Sequence, residues 1–156
     1  LAGGTAILGD LGAEVIKIER PVTGDPCRES RHMGDLYLDL LPGKGSLFYE
    51  ASNRNKKRVT VDLRTSKGQD IVHRLVAKAD VFLTNMRPQA VEEIKNSYSV
   101  LRQINPELIY AKVSGFGPNG PDKDKGPLII RDRQDDQDSC MPKASLICHL
   151  WYVSLV

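Results

Sequence analysis

Three arginines stand where an anion could be held. Arg20 follows the apolar run Val15, Ile16, Ile18, and is itself followed by Pro21 and the Gly24-Asp25-Pro26 turn. Arg64 follows R-V-T-V-D-L and precedes Thr65, a good helix N-cap. Arg87 closes Asn85-Met86-Arg87 after V-F-L-T and stands before Pro88. Guanidinium groups hold phosphate through paired, charge-assisted hydrogen bonds. Helix N-termini add unsatisfied N–H groups and the positive end of the macrodipole. If the three junctions point one way, they form a site for a phosphorylated ligand. The one Gly-x-Gly-x-x-Gly string, Gly115 to Gly120, lies in Pro-containing turn material that opens no helix, and no Walker A loop is present, so an ordinary dinucleotide enzyme is not supported. On pattern alone the plainer reading is favoured, with these arginines as solvated loop residues or helix-end ion pairs.

The elements that must position these residues follow from periodicity. Residues 1–11 read as helix, ended by Gly12 in the left-handed C′ conformation. Residues 14–18 read as a mostly buried strand, and residues 21–46, rich in Gly, Pro and Asp, as a long loop. A short helix is expected over 47–52. A strand is expected over 58–63, with Val59, Val61 and Leu63 on one face. Ile71, Val72, Leu75, Val76 and Ala79 form a stripe at helical spacing, which predicts a helix over about 66–79. Residues 81–84 read as a buried strand and 88–94 as a short helix with Pro88 in its first turn. Ser97 can cap a helix carrying Val100, Leu101 and Ile104, which Asn105-Pro106 stops. Residues 108–113 are the next strand. Strands separated by helices imply an α/β fold with a mainly parallel sheet and right-handed crossovers. The first helix would lack its preceding strand, so the chain is expected to begin inside a βαβ unit.

The densest basic stretch is N-R-N-K-K-R at residues 53–58. It reads as a solvated strand edge, or alternatively as a ligand-facing loop whose asparagines fix the backbone. After Gly115 the pattern is turn material, then a charge run over 131–138 and an apolar stretch over 144–156. No element is assigned to residues 128–156.

Composition bounds the partners. The 156 residues suffice for one domain with a real core. The 22 basic residues nearly balance the 20 acidic ones, for a net charge of +2, which gives no argument for nucleic acid. No run reaches the length of a membrane span. Cys27, Cys140 and Cys148 have no metal-ligand spacing and leave one unpaired. No metal is therefore implied, and a reducing compartment is expected, cytoplasmic or, in a eukaryote, mitochondrial.

The ordered series L-G-A-E-V-I-K-I-E-R-P, G-D, S-N-R-N-K-K-R-V-T-V-D-L-R-T-x-x-G, A-D-V-F-L-T-N-M-R-P and I-N-P-E-L-I-Y-A-K-V-S-G-F-G-P-N-G-P closely resembles family III CoA-transferases. These include the formyl-CoA transferase, carnitine CoA-transferase and α-methylacyl-CoA racemase relatives. The resemblance covers about residues 1–125 and implies the N-terminal part of a Rossmann-like domain that binds coenzyme A. It also implies acyl-CoA and a carboxylic acid as substrates, and an interlocked homodimer for the full-length family. By position, Arg20 matches an arginine that contacts the nucleotide end of CoA. Val61, Asp62, Leu63 and Arg64 match the stretch flanking its adenine and phosphate. Asn85, Met86 and Arg87 match a segment lining the CoA channel, with Met86 where an aromatic is usual. Lys125 falls near a further basic position. A CoA-contacting arginine of some members falls at Glu93, so that contact is absent.

The resemblance further implies a carboxylate nucleophile that forms a mixed anhydride with the acyl group, then an enzyme–CoA thioester. That aspartate should lie in Gly-rich sequence beyond the G-F-G-P-N-G-P loop. Here the sequence departs from the family at about Gly126, and Asp132, Asp135, Asp136 and Asp138 lack such surroundings. No catalytic residue is nominated. Residues 126–156 are expected to be an irregular, poorly packing tail, leaving a sheet edge unpaired. The chain is expected to be an N-terminal portion of a CoA-transferase. The alternatives are a portion of an acyl-CoA racemase and a non-catalytic CoA-binding product.

Overall fold

The computed structural model describes residues 1–29, 32–33, 36–37, 45–117, 119–121 and 153–156. Helix α1 (Ala2–Asp10) ends as the glycine turn predicts. Gly12 has φ +99°, Ala13 N–H donates to the Leu8 carbonyl at 3.0 Å, and Gly12 N–H donates to that of Gly9 at 3.1 Å. These are the two bonds of a Schellman ending, and they turn the chain straight into strand β1 (Val15–Glu19). The expected long loop is not without structure. It contains a 3₁₀ turn (Pro26–Arg28) and two short antiparallel strands, β2 (His32–Met33) and β3 (Leu36–Tyr37). Helix α2 (Leu47–Asn53) follows.

Strand β4 (Lys56–Thr60) lies two to three residues before its expected position. Val61 and Leu63 are 5% exposed each but stand beyond the strand. The reason is the partner: β1 stops at Glu19, whose carbonyl accepts the final ladder bond from Val61 N–H at 3.0 Å. The apolar alternation therefore continues into a turn that crosses the core. That turn leads to helix α3 (Ser66–Val76), whose N-cap Thr65 accepts from Gly68 N–H as its sequence predicts. Val72 and Val76 are fully buried, whereas Ile71, from the same stripe, is 42% exposed. Strand β5 (Val81–Thr84), helix α4 (Pro88–Glu93), helix α5 (Tyr98–Ile104) and strand β6 (Ile109–Lys112) follow in the expected order. Ser97 is the N-cap residue of α5, but its hydroxyl contacts Ser99 Oγ and makes no cap bond to the backbone.

The main sheet has the order β4-β1-β7-β5-β6. β1 and β4 are parallel, as are β5 and β6. Strand β7 (Val153–Leu155) runs antiparallel to both β1 and β5, so β1, β4, β5 and β6 all point one way. β7 corrects the reading of the tail, whose last residues join the sheet at its centre with Leu155 2% exposed. The core joins Ile18, Val61, Leu63, Val72, Val76, Phe82, Met86, Val91, Ile94, Leu101, Leu108 and Leu155.

Gly68 is where helix α3 comes closest to the preceding turn. A methyl group there would collide with the Asp62 carbonyl oxygen and press on Thr65 Oγ1. That carbonyl accepts from both Thr65 N–H (3.1 Å) and Thr65 Oγ1 (2.8 Å), so it has no room to withdraw. Gly68→Ala is expected to lower folding stability by about 1 to 3 kcal/mol through overpacking. Gly4→Ala, on the exposed side of α1 with nothing within 4 Å, should be neutral or mildly stabilising. Urea unfolding midpoints of the two variants provide the comparison.

Candidate functional site

Because four strands point one way, their carboxyl ends share an edge of the sheet. Arg20 leaves β1 there, residues 61–64 leave β4, and Asn85, Met86 and Arg87 leave β5. Arg20 and Arg64 come from adjacent strands and line one cleft of about 380 Å³, together with Pro21, Val22, Thr23, Asp62 and Leu63. Arg87 is exposed at the same edge but does not line this cleft. β7 stands between β5 and β1, so the strand that leads to Arg87 is two strand spacings, about 10 Å, from the one that leads to Arg20.

The remaining residues singled out from the sequence divide by burial. Val61 and Met86 are core residues, each 5% exposed. Met86 presents only backbone to the edge, its N–H donating to Thr84 Oγ1 at 3.2 Å. Leu63 is both a core residue and part of the cleft wall. Asn85 is half-buried. Asp62 pairs with Arg64, Oδ1 accepting from Arg64 Nε at 3.1 Å, and this hydrogen bond holds the Asp62 carboxyl below its ordinary range. Lys125 lies outside the described residues.

A buried polar cluster that periodicity did not reveal holds the residues on either side of the 20–24 segment, Glu19 and Asp25. Lys17, in the middle of β1, is 2% exposed. Its ammonium is paired with Asp25, donates to Asn53 Oδ1 at 2.8 Å and lies 3.3 Å from Glu19 Oε1. Arg28 Nη2 reaches Glu19 Oε2 at 2.9 Å and the Tyr49 hydroxyl at 2.5 Å, and its guanidinium lies 4.0 Å from the Tyr49 ring centroid. The Tyr49 hydroxyl donates to Glu19 Oε1 at 3.2 Å. Burial works against the Asp25 charge, but the Lys17 bond and the Cys27 N–H donor prevail and hold its carboxyl below the ordinary value. Burial, with the Glu19 charge, raises the Tyr49 hydroxyl. The sequence signal for this cluster was a lysine inside an internal strand, which must find a counter-charge.

The basic stretch at 53–58 belongs to this scaffold. Asn53 bonds Lys17 and the Tyr49 carbonyl. Arg54 Nε donates to Asp10 Oδ2 at 2.9 Å. Asn55 adopts φ +59° and donates to the same carboxylate. Lys56 donates to the carbonyls of Ala2 and Ser52, and burial lowers its ammonium to about 8. Lys57 pairs with Glu14, and Arg58 reaches the Tyr49 hydroxyl. The stretch therefore ties α1, α2 and β1 together.

The cleft wall itself is strained. Thr23 N–H donates to the Pro21 carbonyl at 2.8 Å, closing a three-residue turn with Val22 at its centre. Val22 has φ +68° and is fully exposed. A β-branched residue in that conformation costs on the order of 1 to 3 kcal/mol. Gly24, at φ +58°, follows, and its N–H donates to the Arg20 carbonyl at 3.1 Å.

A family model described as CoA-transferase family III matches residues 2–128. Among curated proteins, the chain is 46% identical over 120 residues to succinyl-CoA–D-citramalate CoA-transferase of Chloroflexus aurantiacus, covering 76% of this chain and 28% of that protein. It is 40% identical over 119 residues to (R)-2-hydroxy-4-methylpentanoate CoA-transferase of Clostridioides difficile, covering 76% and 29%. Among solved structures, Rv3272 from M. tuberculosis superposes with a TM-score of 0.67 at 36% identity, covering 83% of this chain and 34% of that one. The chain thus spans less than a third of the length of the two curated relatives. No described helix is long and apolar enough to cross a membrane.

Asp25→Asn would leave Lys17 buried beside a neutral amide. It is expected to lower stability at neutral pH by about 3 to 5 kcal/mol. The folded Asp25 carboxyl holds its proton less tightly than the unfolded one. Its contribution is therefore complete above the unfolded value and fades as pH falls through the lower folded value. Wild type should lose this stability below about pH 4, while the variant, already without it, should show a flatter acid limb in denaturant titrations between pH 2 and 7.

Proposed function

The chain belongs to CoA-transferase family III, and from that premise we propose that it forms the nucleotide-binding portion of an enzyme moving CoA between an acyl-CoA and a free carboxylic acid. The observation that carries this reading is the cleft in which Arg20 and Arg64 meet at the carboxyl edge of the sheet. In open α/β sheets ligands settle at that edge. Two guanidinium groups suit a phosphate, Pro21, Val22 and Leu63 offer apolar surface to a purine face, and Asp62 offers an acceptor for a hydroxyl or amine. Asn85 and Arg87, further along the edge, would meet the extended arm of CoA, and Met86 would contribute its backbone. Lys125 is carried here only by the resemblance.

In this reading the chain binds and orients the thioester carrier, and the attacking carboxylate comes from sequence beyond the G-F-G turn. The acyl group would pass to that carboxylate as a mixed anhydride, releasing CoA thiolate. The thiolate would then attack the enzyme carbonyl of the anhydride, giving an enzyme–CoA thioester and expelling the donor acid. The acceptor carboxylate would attack that thioester to form a second anhydride with release of thiolate, and the thiolate would take the acceptor acyl group and free the enzyme carboxylate. The names of the relatives support a carboxylic acid as acceptor, including a hydroxy acid in the first two. We further propose that residues 1–125 are the family portion and 126–156 a divergent tail, and that the complete protein is a homodimer.

Calorimetric titration tests the site. CoA should bind the chain more tightly than dephospho-CoA, and Arg20→Ala should weaken CoA binding by about 1 to 3 kcal/mol, the worth of a charge-assisted bond. Unchanged affinity for both ligands would remove the role of Arg20.

The 156-residue chain alone is expected to give no turnover when CoA exchange is assayed between a short acyl-CoA and a free acid. Turnover abolished by changing one of Asp132, Asp135, Asp136 or Asp138 would instead put the nucleophile within this chain.

A further inference from the structure

The cleft wall formed by residues 20–23 is pinned at both ends by the buried cluster. At one end, Glu19 is held by Lys17, Arg28 and Tyr49. At the other, Asp25 is held by Lys17 and by Cys27 N–H at 2.8 Å. One buried ammonium therefore fastens both ends of a turn that carries an arginine at its start. The turn between the two anchors is not relaxed. Val22 sits at φ +68°, and its side chain, fully exposed, packs against nothing that would account for the conformation. Gly24 lies against the same cluster, where a Cβ would stand at contact distance from Glu19 Oε2 (3.4 Å) and Arg28 Nε (3.5 Å). An exposed valine held in a left-handed turn indicates a backbone shape imposed by its surroundings.

We propose that Val22 is a positioning residue: held left-handed between the Glu19 and Asp25 anchors, it stiffens the turn and fixes where Arg20 stands against a phosphate of the ligand, so that Lys17 and Asp25 set the discrimination of the cleft without touching its occupant. The inference rests on the reading of the cleft as a CoA site. A rigid turn loses little conformational freedom when a ligand clamps it, and that advantage appears as affinity. A loosened turn must be ordered on binding.

The test compares Val22→Gly with Val22→Ala by calorimetric titration of CoA and of dephospho-CoA, with thermal midpoints measured in parallel. Glycine accepts the left-handed conformation without strain but frees the turn in the unliganded protein. Alanine keeps the Cβ restriction while removing the rest of the side chain. Val22→Gly should raise or maintain the thermal midpoint yet weaken CoA binding about two- to five-fold, and narrow the preference for CoA over dephospho-CoA. Val22→Ala should keep the wild-type preference for CoA over dephospho-CoA, whatever apolar contact it gives up to both ligands alike. Asp25→Asn should narrow the same preference, and if it fails to fold the Val22 pair decides. Wild-type affinity and preference in Val22→Gly would overturn the proposal. So would an equal narrowing of that preference in the alanine and glycine variants, which would tie it to the lost side chain and not to the turn. A wild-type chain with no affinity for CoA would overturn the CoA reading itself, and this inference with it.

Discussion

A lysine in the middle of an internal strand is the constraint around which the N-terminal part of the molecule is arranged. An ammonium removed from water needs both a counter-charge and further hydrogen-bond partners. Lys17 takes them from three places in the chain: Glu19 on its own strand, Asp25 in the loop that follows, and Asn53 at the end of α2. Tyr49 and Arg28 then satisfy the remaining carboxylate oxygens and lay an aromatic face beside both cations. Purely apolar packing would have allowed the 20–29 loop many resting places. The directional demands of one charge leave it very few, and the wall of the cleft is a consequence.

Positive charge is used in two distinct ways along this chain. Residues 53–58 hold the highest density of basic groups, yet Arg54, Lys56 and Lys57 are engaged with Asp10, with helix carbonyls and with Glu14. Arg20, Arg64 and Arg87 are isolated in sequence but converge on the carboxyl edge of the sheet because their strands are parallel. Position relative to strand ends is thus a better guide than local density of charge to which basic residues gather at the ligand-binding edge of such a sheet.

How much of this was legible depended on whether the governing interaction was local. The α1 ending, the Thr65 cap and the strand at 81–84 each follow from a few adjacent residues. The end of β4 was misplaced because Val61 and Leu63 keep the alternation while the partner strand has already stopped. Ser97 has the residue type of a cap, but its hydroxyl is taken by Ser99. The edge shared by Arg20 and Arg64 was legible from βα order alone. The displacement of Arg87 was not, because it depends on what stands between β1 and β5. The Lys17 cluster joins residues up to 36 positions apart, a separation that periodicity cannot register.

Strand β7 has a bearing on how the molecule reaches its fold. β1 and β5 do not pair with each other, and each bonds β7 instead. The Asp80 and Val81 N–H groups also donate to the Val156 carbonyl at 2.8 and 2.9 Å. The β1-α2-β4 and β5-β6 units can each form from nearby sequence. Joining them requires Val153 to find Ile18 and Thr84 across most of the chain, a closure of high contact order. Until it does, the edges of β1 and β5 that β7 covers lie open. Open edges recruit one another, so the passage from two half-sheets to one is the stage at which this chain is most exposed to self-association, and concentration during refolding acts on that stage before it acts on the native state.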